Sequence, residues 1–154
     1  MKKNFLTVII GMLSLVMSMN SCSSDDEDET DTRDQYVGAW NLVSEGSVNR
    51  IENGSILDTD TVNETSSVNV SKSGEKDLVI DGDIYFVSVD GLFLTSTPRT
   101  ESGSDGSYIY SITYSTIGTL SVDNFTLLTT VTGTWTDDGR NGTFSGTVSG
   151  VLTK

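Results

Sequence analysis

The sequence predicts an all-β domain, an antiparallel up-and-down barrel of roughly 8–10 strands, with a β-sandwich as the alternative. Three observations carry this expectation. Thr, Ser, Val and Gly dominate, and no window repeats its apolar residues with a period of 3.6. Near the C-terminus apolar and polar residues alternate strictly, which describes strands with one face buried and one wet. Turn-forming Gly and Asp recur at short spacing between these runs.

The chain opens differently. Lys2 and Lys3 give a cationic start, and residues 5–19 are apolar apart from Thr7, Gly11, Ser14 and Ser18. That is the length of a secretory signal and too short to span a bilayer well. Ser21 stands directly before Cys22, with Met19 and Asn20 ahead of it, and the order resembles a bacterial lipoprotein signal. The resemblance implies a signal peptide over 1–21 and palmitate-type acylation of Cys22, the new first residue. The acidic block 23–29 (SSDDEDE) resembles the surface-export signal of Bacteroides-group lipoproteins. Residues 22–34 then form an acylated, acidic and disordered tether, and the expected location is the outer membrane, facing outward. A solubilising spacer explains the same acids and does not conflict with export.

Residues 35–154 are one domain in length. The only Cys is the acylation site, so the mature domain has no thiol for a disulfide or a Cys metal site. The whole sequence carries a net charge of −13, and residues 35–154 hold 6 basic and 15 acidic residues. Such a body repels phosphate backbones, which excludes nucleic acid as a partner. It also repels anionic head groups, so it is expected to stand off the membrane as a monomer on its tether.

The strands follow in order. YVGAWNLVS at 36–44 opens the first. SSVNVSKSGEKDLVI reads as two strands about Gly74, and IYFVSVDGLFLTS as a hairpin turning at Asp90-Gly91. PRTESGSDG at 98–106 reads as a long loop, and SYIYSITYSTIGTLSVDN as an aromatic strand and a short one. In FTLLTTVTGTW, Phe125, Leu127, Val131, Gly133 and Trp135 share one face while Thr126, Thr130, Thr132 and Thr134 share the other. TFSGTVSGVL continues with Phe144, Gly146, Val148, Gly150 and Leu152 inward, after a turn in DDGRNG.

The aromatic followed by Gly38-x-Trp40 at the start of the first strand, with the closing GTFSGTV, resembles the lipocalin-like (calycin-type) surface lipoproteins of the Bacteroides group. The resemblance implies a barrel whose closed end is plugged by Trp40, with Gly38 allowing close backbone approach. It also implies a cation laid over that Trp; Arg140 lies in a turn here, and Lys154 ends the chain.

Chemistry is scarce. With no His there is no Ser–His dyad, imidazole base or His metal site. Paired acids that could serve glycoside hydrolysis are Asp58/Asp60, Asp81/Asp83 and Asp137/Asp138, and the last two pairs sit beside turn glycines. Asp58-Thr59-Asp60 resembles the opening of a calcium loop, but Val62 and Asn63 stand where a third ligand and the turn glycine belong. Asp60-Thr61-Val62 fits the Asp-Thr-aliphatic pattern of Bacteroides O-glycosylation, with Thr61 the acceptor.

No enzyme, metal or cofactor is expected. The expected function is binding of a small neutral or apolar ligand, lipid-like or a glycan fragment, inside the barrel. Tyr108, Tyr110 and Tyr114, on one face of one strand, are its gate, and inward Gly133, Gly146, Gly150 and Thr129, with Ser111 if its strand is so oriented, leave it room. Cross-strand packing explains the tyrosines equally well. The alternative function is a non-catalytic protein-interaction module on the outer membrane.

Overall fold

The computed structural model describes residues 31–88 and 91–154. The expected signal, Cys22 and most of the tether lie outside the described residues, as does Asp90 of the expected Asp90-Gly91 turn. A 3₁₀ turn at Asp34–Tyr36 leads into nine strands. These are β1 (Gly38–Glu52), β2 (Ser55–Ser73), β3 (Asp77–Ile80), β4 (Asp83–Val87), β5 (Phe93–Ser96), β6 (Arg99–Asp105), β7 (Tyr108–Leu120), β8 (Asn124–Asp137) and β9 (Arg140–Thr153).

Every pairing is antiparallel, in the order β5-β4-β3-β2-β1-β9-β8-β7-β6, and β5 also pairs with β7. That last pairing closes eight strands into an up-and-down barrel, which removes the sandwich alternative. In the lower barrel, closure is also what satisfies the edges of the sheet.

The turns explain why the chain reverses where it does. Asn53-Gly54, Asp81-Gly82 and Asp138-Gly139 each have positive φ at both residues, the type I′ geometry that matches strand twist. β5 and β6 are successive pieces of one path laid along β7. Leu94 faces Gly118, then Arg99 faces Tyr114, so the register slips by one residue across Pro98. Proline has no N–H for a ladder and is tolerated at such a break. The backbone N–H of Thr116, left without a ladder partner there, donates to the Ser96 hydroxyl at 3.0 Å. The stretch expected as a long loop is therefore largely strand β6, and the two strands expected over 107–124 are the single strand β7. Both differences come from hydroxyl-rich sequence that reads as loop until its cross-strand partners are known.

Strand lengths are unequal, and this shapes the site. β3 and β4 have 4 and 5 residues, whereas β1 has 15 and β2 has 19. All eight strands surround the lower barrel, where Trp40, Val70, Leu78, Leu94, Phe125 and Leu152 are almost completely buried. The lower interior is filled by these side chains. A second cluster, Val48, Ile112, Val131, Trp135 and Phe144, lies higher on the same inner face.

The inward alternation expected for β8 and β9 is present, but its small residues do not leave room. A Cβ built on Gly133 would collide with the Ser111 carbonyl oxygen, and one on Gly146 with that of Ser47. The glycines let neighbouring strands coil tightly, closing the interior that they were expected to open. Ser111 faces outward, where its hydroxyl accepts from that of Ser102 at 3.0 Å.

Candidate functional site

At the closed end Trp40 is 1 % exposed. Its indole N–H donates to the Tyr36 carbonyl at 2.8 Å, and its ring stacks on Phe125 at 4.4 Å. The Lys154 ammonium lies 4.9 Å from the ring centroid and donates to the Gln35 carbonyl at 2.6 Å. The terminal lysine thus supplies the cation over the tryptophan. Gly38 holds a φ of 126° at the base of β1, a conformation that favours glycine.

The upper barrel is cut away. Above the β3–β4 turn, β2 pairs only with β1 and β6 only with β7, so no described strand stands between β2 and β6. This window opens on the inner face of β7 and β8. Tyr108, Tyr110 and Tyr114 alternate onto that face with buried Ile112 and are half-buried, and Tyr110 and Tyr114 lie opposite inward Trp135 and Val131. The rings of Tyr108 and Tyr110 are 6.0 Å apart, and Tyr108 stacks on Trp135 at 6.4 Å. Glycines receive these rings: Trp135 lies against Gly142 of β9, and Tyr110 against Gly103 of β6. Aromatic side chains lying over cross-strand glycines shield the bare backbone and fix the ring orientation.

Polar groups frame the aromatic floor. Arg50 of β1 lies 5.3 Å over the Trp135 ring, and Arg99 of β6 lies 5.8 Å over Tyr114. Arg99 is held by Glu101 at 2.8 Å and by Asp83 of the short wall at 3.2 Å. Asp58 and Asp60 share the inner face of β2, with Asp58 opposite Arg50 and Asp60 opposite Val48. Burial, with the charge of Asp58 added, raises the pKa of Asp60. Tyr114 is pushed up to about 12 by burial first and Glu101 second, and burial raises Tyr108 as well. Both phenols are neutral hydroxyls at physiological pH, able to donate and accept but poor as bases or nucleophiles. The Trp135 indole N–H is buried with no acceptor among the described residues.

The window therefore combines aromatic faces, a donor (Arg50) and acceptors (Asp58, Asp60, Glu101), with the buried indole N–H of Trp135 beneath them. Sequence reasoning found the tyrosines but not Arg50, Asp60, Arg99 or Trp135 as their companions. The inward register of Trp135 was the available signal. Thr61 lies exposed on the outer face of β2, opposite Ser47. Asp58-Thr59-Asp60 is extended strand instead of an ion-binding loop.

A concavity of about 610 Å³ lies elsewhere, on the outside of the barrel. Phe93, Thr95, Ile117, Thr119, Thr126 and Leu128 line its outer-facing floor. The chain matches no family model, no curated protein and no solved structure.

Proposed function

We propose that this chain is a lipid-anchored, outward-facing, non-catalytic protein that binds a neutral glycan fragment at the window. Acylation of Cys22 supplies the anchor. The observation that carries the binding reading is the half-buried row Tyr108, Tyr110 and Tyr114 beside the unpartnered indole N–H of Trp135. Sugars present apolar C–H faces and hydroxyls that both donate and accept, and this floor offers rings, donors and acceptors together. A lipid-like ligand fits less well, because the apolar lower interior is occupied by the protein's own side chains. Specific polar groups on a largely apolar floor are how small-ligand sites set orientation.

The test is a titration of neutral oligosaccharides followed by amide NMR. Shifts at residues 108–114 and 58–60 are expected, with Tyr114→Ala and Trp135→Phe each weakening binding by about tenfold, which is one lost contact of about 1.4 kcal/mol. A panel that produces no shift at the window overturns the reading. The anchor is tested separately: Cys22→Ser should abolish palmitate labelling and release the chain from membranes.

The outer groove favours a second reading, a protein-docking module, since Phe93, Ile117 and Leu128 are large, apolar and exposed. In that case Ile117→Asp should lose a protein partner from surface extracts while leaving the window unaffected.

A further inference from the structure

The closed end of the barrel gathers exposed apolar side chains that neither the core nor the window uses. Leu92 and Val122, in the β4–β5 and β7–β8 connections, are 52 % and 58 % exposed, and Phe93 beside them is 54 % exposed. Leu92 accepts the backbone N–H of Leu120 at 2.8 Å, and the Ser121 N–H donates to the Asn124 carbonyl at 2.9 Å. Both connections therefore sit beside the bottom of β7. Val37 and Phe86, also exposed, belong to the same end.

The chain enters at this end as well. Arg33 donates to the carbonyls of Ser73, Gly74 and Asp77 at 3.3, 3.3 and 3.0 Å, pinning the start of the described chain under the barrel. Between Cys22 and Asp31 there are so few residues that even full extension spans only about 30 Å.

Charge is distributed unevenly along the same axis. The summed charge predicts repulsion from lipid, but the open end holds a large share of it: Glu52, Asp58, Asp60, Glu101, Asp105, Asp137 and Asp138 outnumber Arg50, Arg99 and Arg140 there. At the closed end Arg33, Lys72, Lys76 and Lys154 nearly balance Asp31, Asp34, Glu75, Asp77 and Asp123 of the described residues. Asp90 and the tether acids Asp25, Asp26, Glu27, Asp28 and Glu29 add to the negative side, so the surface it suits is a zwitterionic lipid. Over the screening distance of about 8 Å in physiological salt, a surface touching the closed end does not feel the acids of the far end.

From these three features we infer that the closed end is a foot that rests on a lipid surface, with Leu92, Phe93 and Val122 in the interfacial layer. A tether alone would let the domain lie on its side. An apolar rim at the tethered end makes it stand, with the window turned away from the bilayer. Side chains of this kind enter about 5–10 Å into the boundary between head groups and acyl chains.

The inference uses the anchor reading only for the position of the tether, so the experiment supplies that tether chemically. The chain from Cys22 onward is coupled through its thiol to a maleimide lipid in phosphatidylcholine vesicles. Leu92→Trp, Val122→Trp and, as an open-end control, Ser107→Trp are compared with the unsubstituted chain, using brominated phosphatidylcholine as a quencher. Trp40 and Trp135, 1 % and 2 % exposed, set the baseline. At least about twofold quenching is expected at 92 and 122, with none above baseline at 107, as befits a probe within the interfacial layer. Equal quenching at all three positions, or none at 92 and 122, overturns the foot. Failure of palmitate labelling at Cys22 would remove the natural anchor and leave this result standing.

Discussion

The two tryptophans of this barrel sit on one inner face and have opposite surroundings. Trp40 is enclosed by eight strands, stacked on Phe125, bonded through its N–H to Tyr36 and covered by Lys154. Trp135 lies where the wall is low, covered by Arg50 and Tyr108, and its N–H has no acceptor among the described residues. Equal burial thus hides unequal satisfaction. A buried donor with its bond made is part of the scaffold. A buried donor without one carries a cost of about 1–3 kcal/mol that a bound acceptor would relieve. The closed end has its buried donor bonded, and the open end keeps a buried donor without an acceptor among the described residues.

The largest expected effect tests the closed end. Trp40→Ala should cost about 3–5 kcal/mol, the range for removing a fully buried large aromatic, and a large share of a small domain's stability. Urea unfolding followed by far-UV circular dichroism measures it. A loss below about 1 kcal/mol would mean that the lower barrel does not depend on its plug.

The next comparison uses one substitution at both sites. Trp40→Phe strands the Tyr36 carbonyl and should cost about 1–3 kcal/mol. Trp135→Phe breaks no hydrogen bond among the described residues and loses only ring contacts with Arg50, Tyr108 and Gly142, so its cost should stay below that of Trp40→Phe, at about 1 kcal/mol. Equal losses in paired denaturation curves would erase the distinction between scaffold and site. Wild-type stability combined with weakened glycan binding in Trp135→Phe would sharpen it.

Much of this architecture was legible in the sequence. The alternation through β8 and β9 identifies the inner face residue by residue, and Gly38-x-Trp40 marks the start of β1 and a tryptophan buried at the closed end. The Asn-Gly pair at 53–54 carries a hairpin signal as strong as Asp90-Gly91 and builds the longest hairpin of the molecule. What sequence could not supply was pairing distance. RTESGSD becomes strand because Tyr114 through Tyr108 lie alongside it, and those partners are fixed only once β7 pairs with β8. The window was hidden for the same reason. It exists because β3 and β4 are short next to their neighbours, a difference between strands that no single strand reveals. Inward glycines misled for a physical reason: a missing side chain creates space only if the backbone stays put, and here neighbouring strands move in.

The smallest expected effect again divides the two ends, by the sign of its pH dependence. Asp31, at the closed end, accepts from Arg33 at 2.7 Å and from Lys72 at 3.3 Å. Those partners, chiefly the hydrogen bonds from Arg33, hold its carboxyl far below the usual range. The native state therefore binds this proton less readily than the unfolded state. The stability it contributes is present above the unfolded pKa, near 4, and is lost as pH falls below that. Asp60 behaves oppositely. Burial raises its pKa, so the native state holds the proton more tightly. Its contribution is fullest below pH 4 and fades as pH rises through the raised value. Asp60→Asn should thus be slightly more stable than wild type at pH 7 and lose that advantage on acidification. Asp31→Asn should be less stable at pH 7, by at most about 1 kcal/mol for such exposed pairs, and converge with wild type in acid. Denaturation midpoints of the two variants at pH 7, 5 and 3 measure both slopes. Slopes of the same sign would mean that the carboxylates at the window are as well compensated as those at the plug, and the open end would then be finished structure instead of a site.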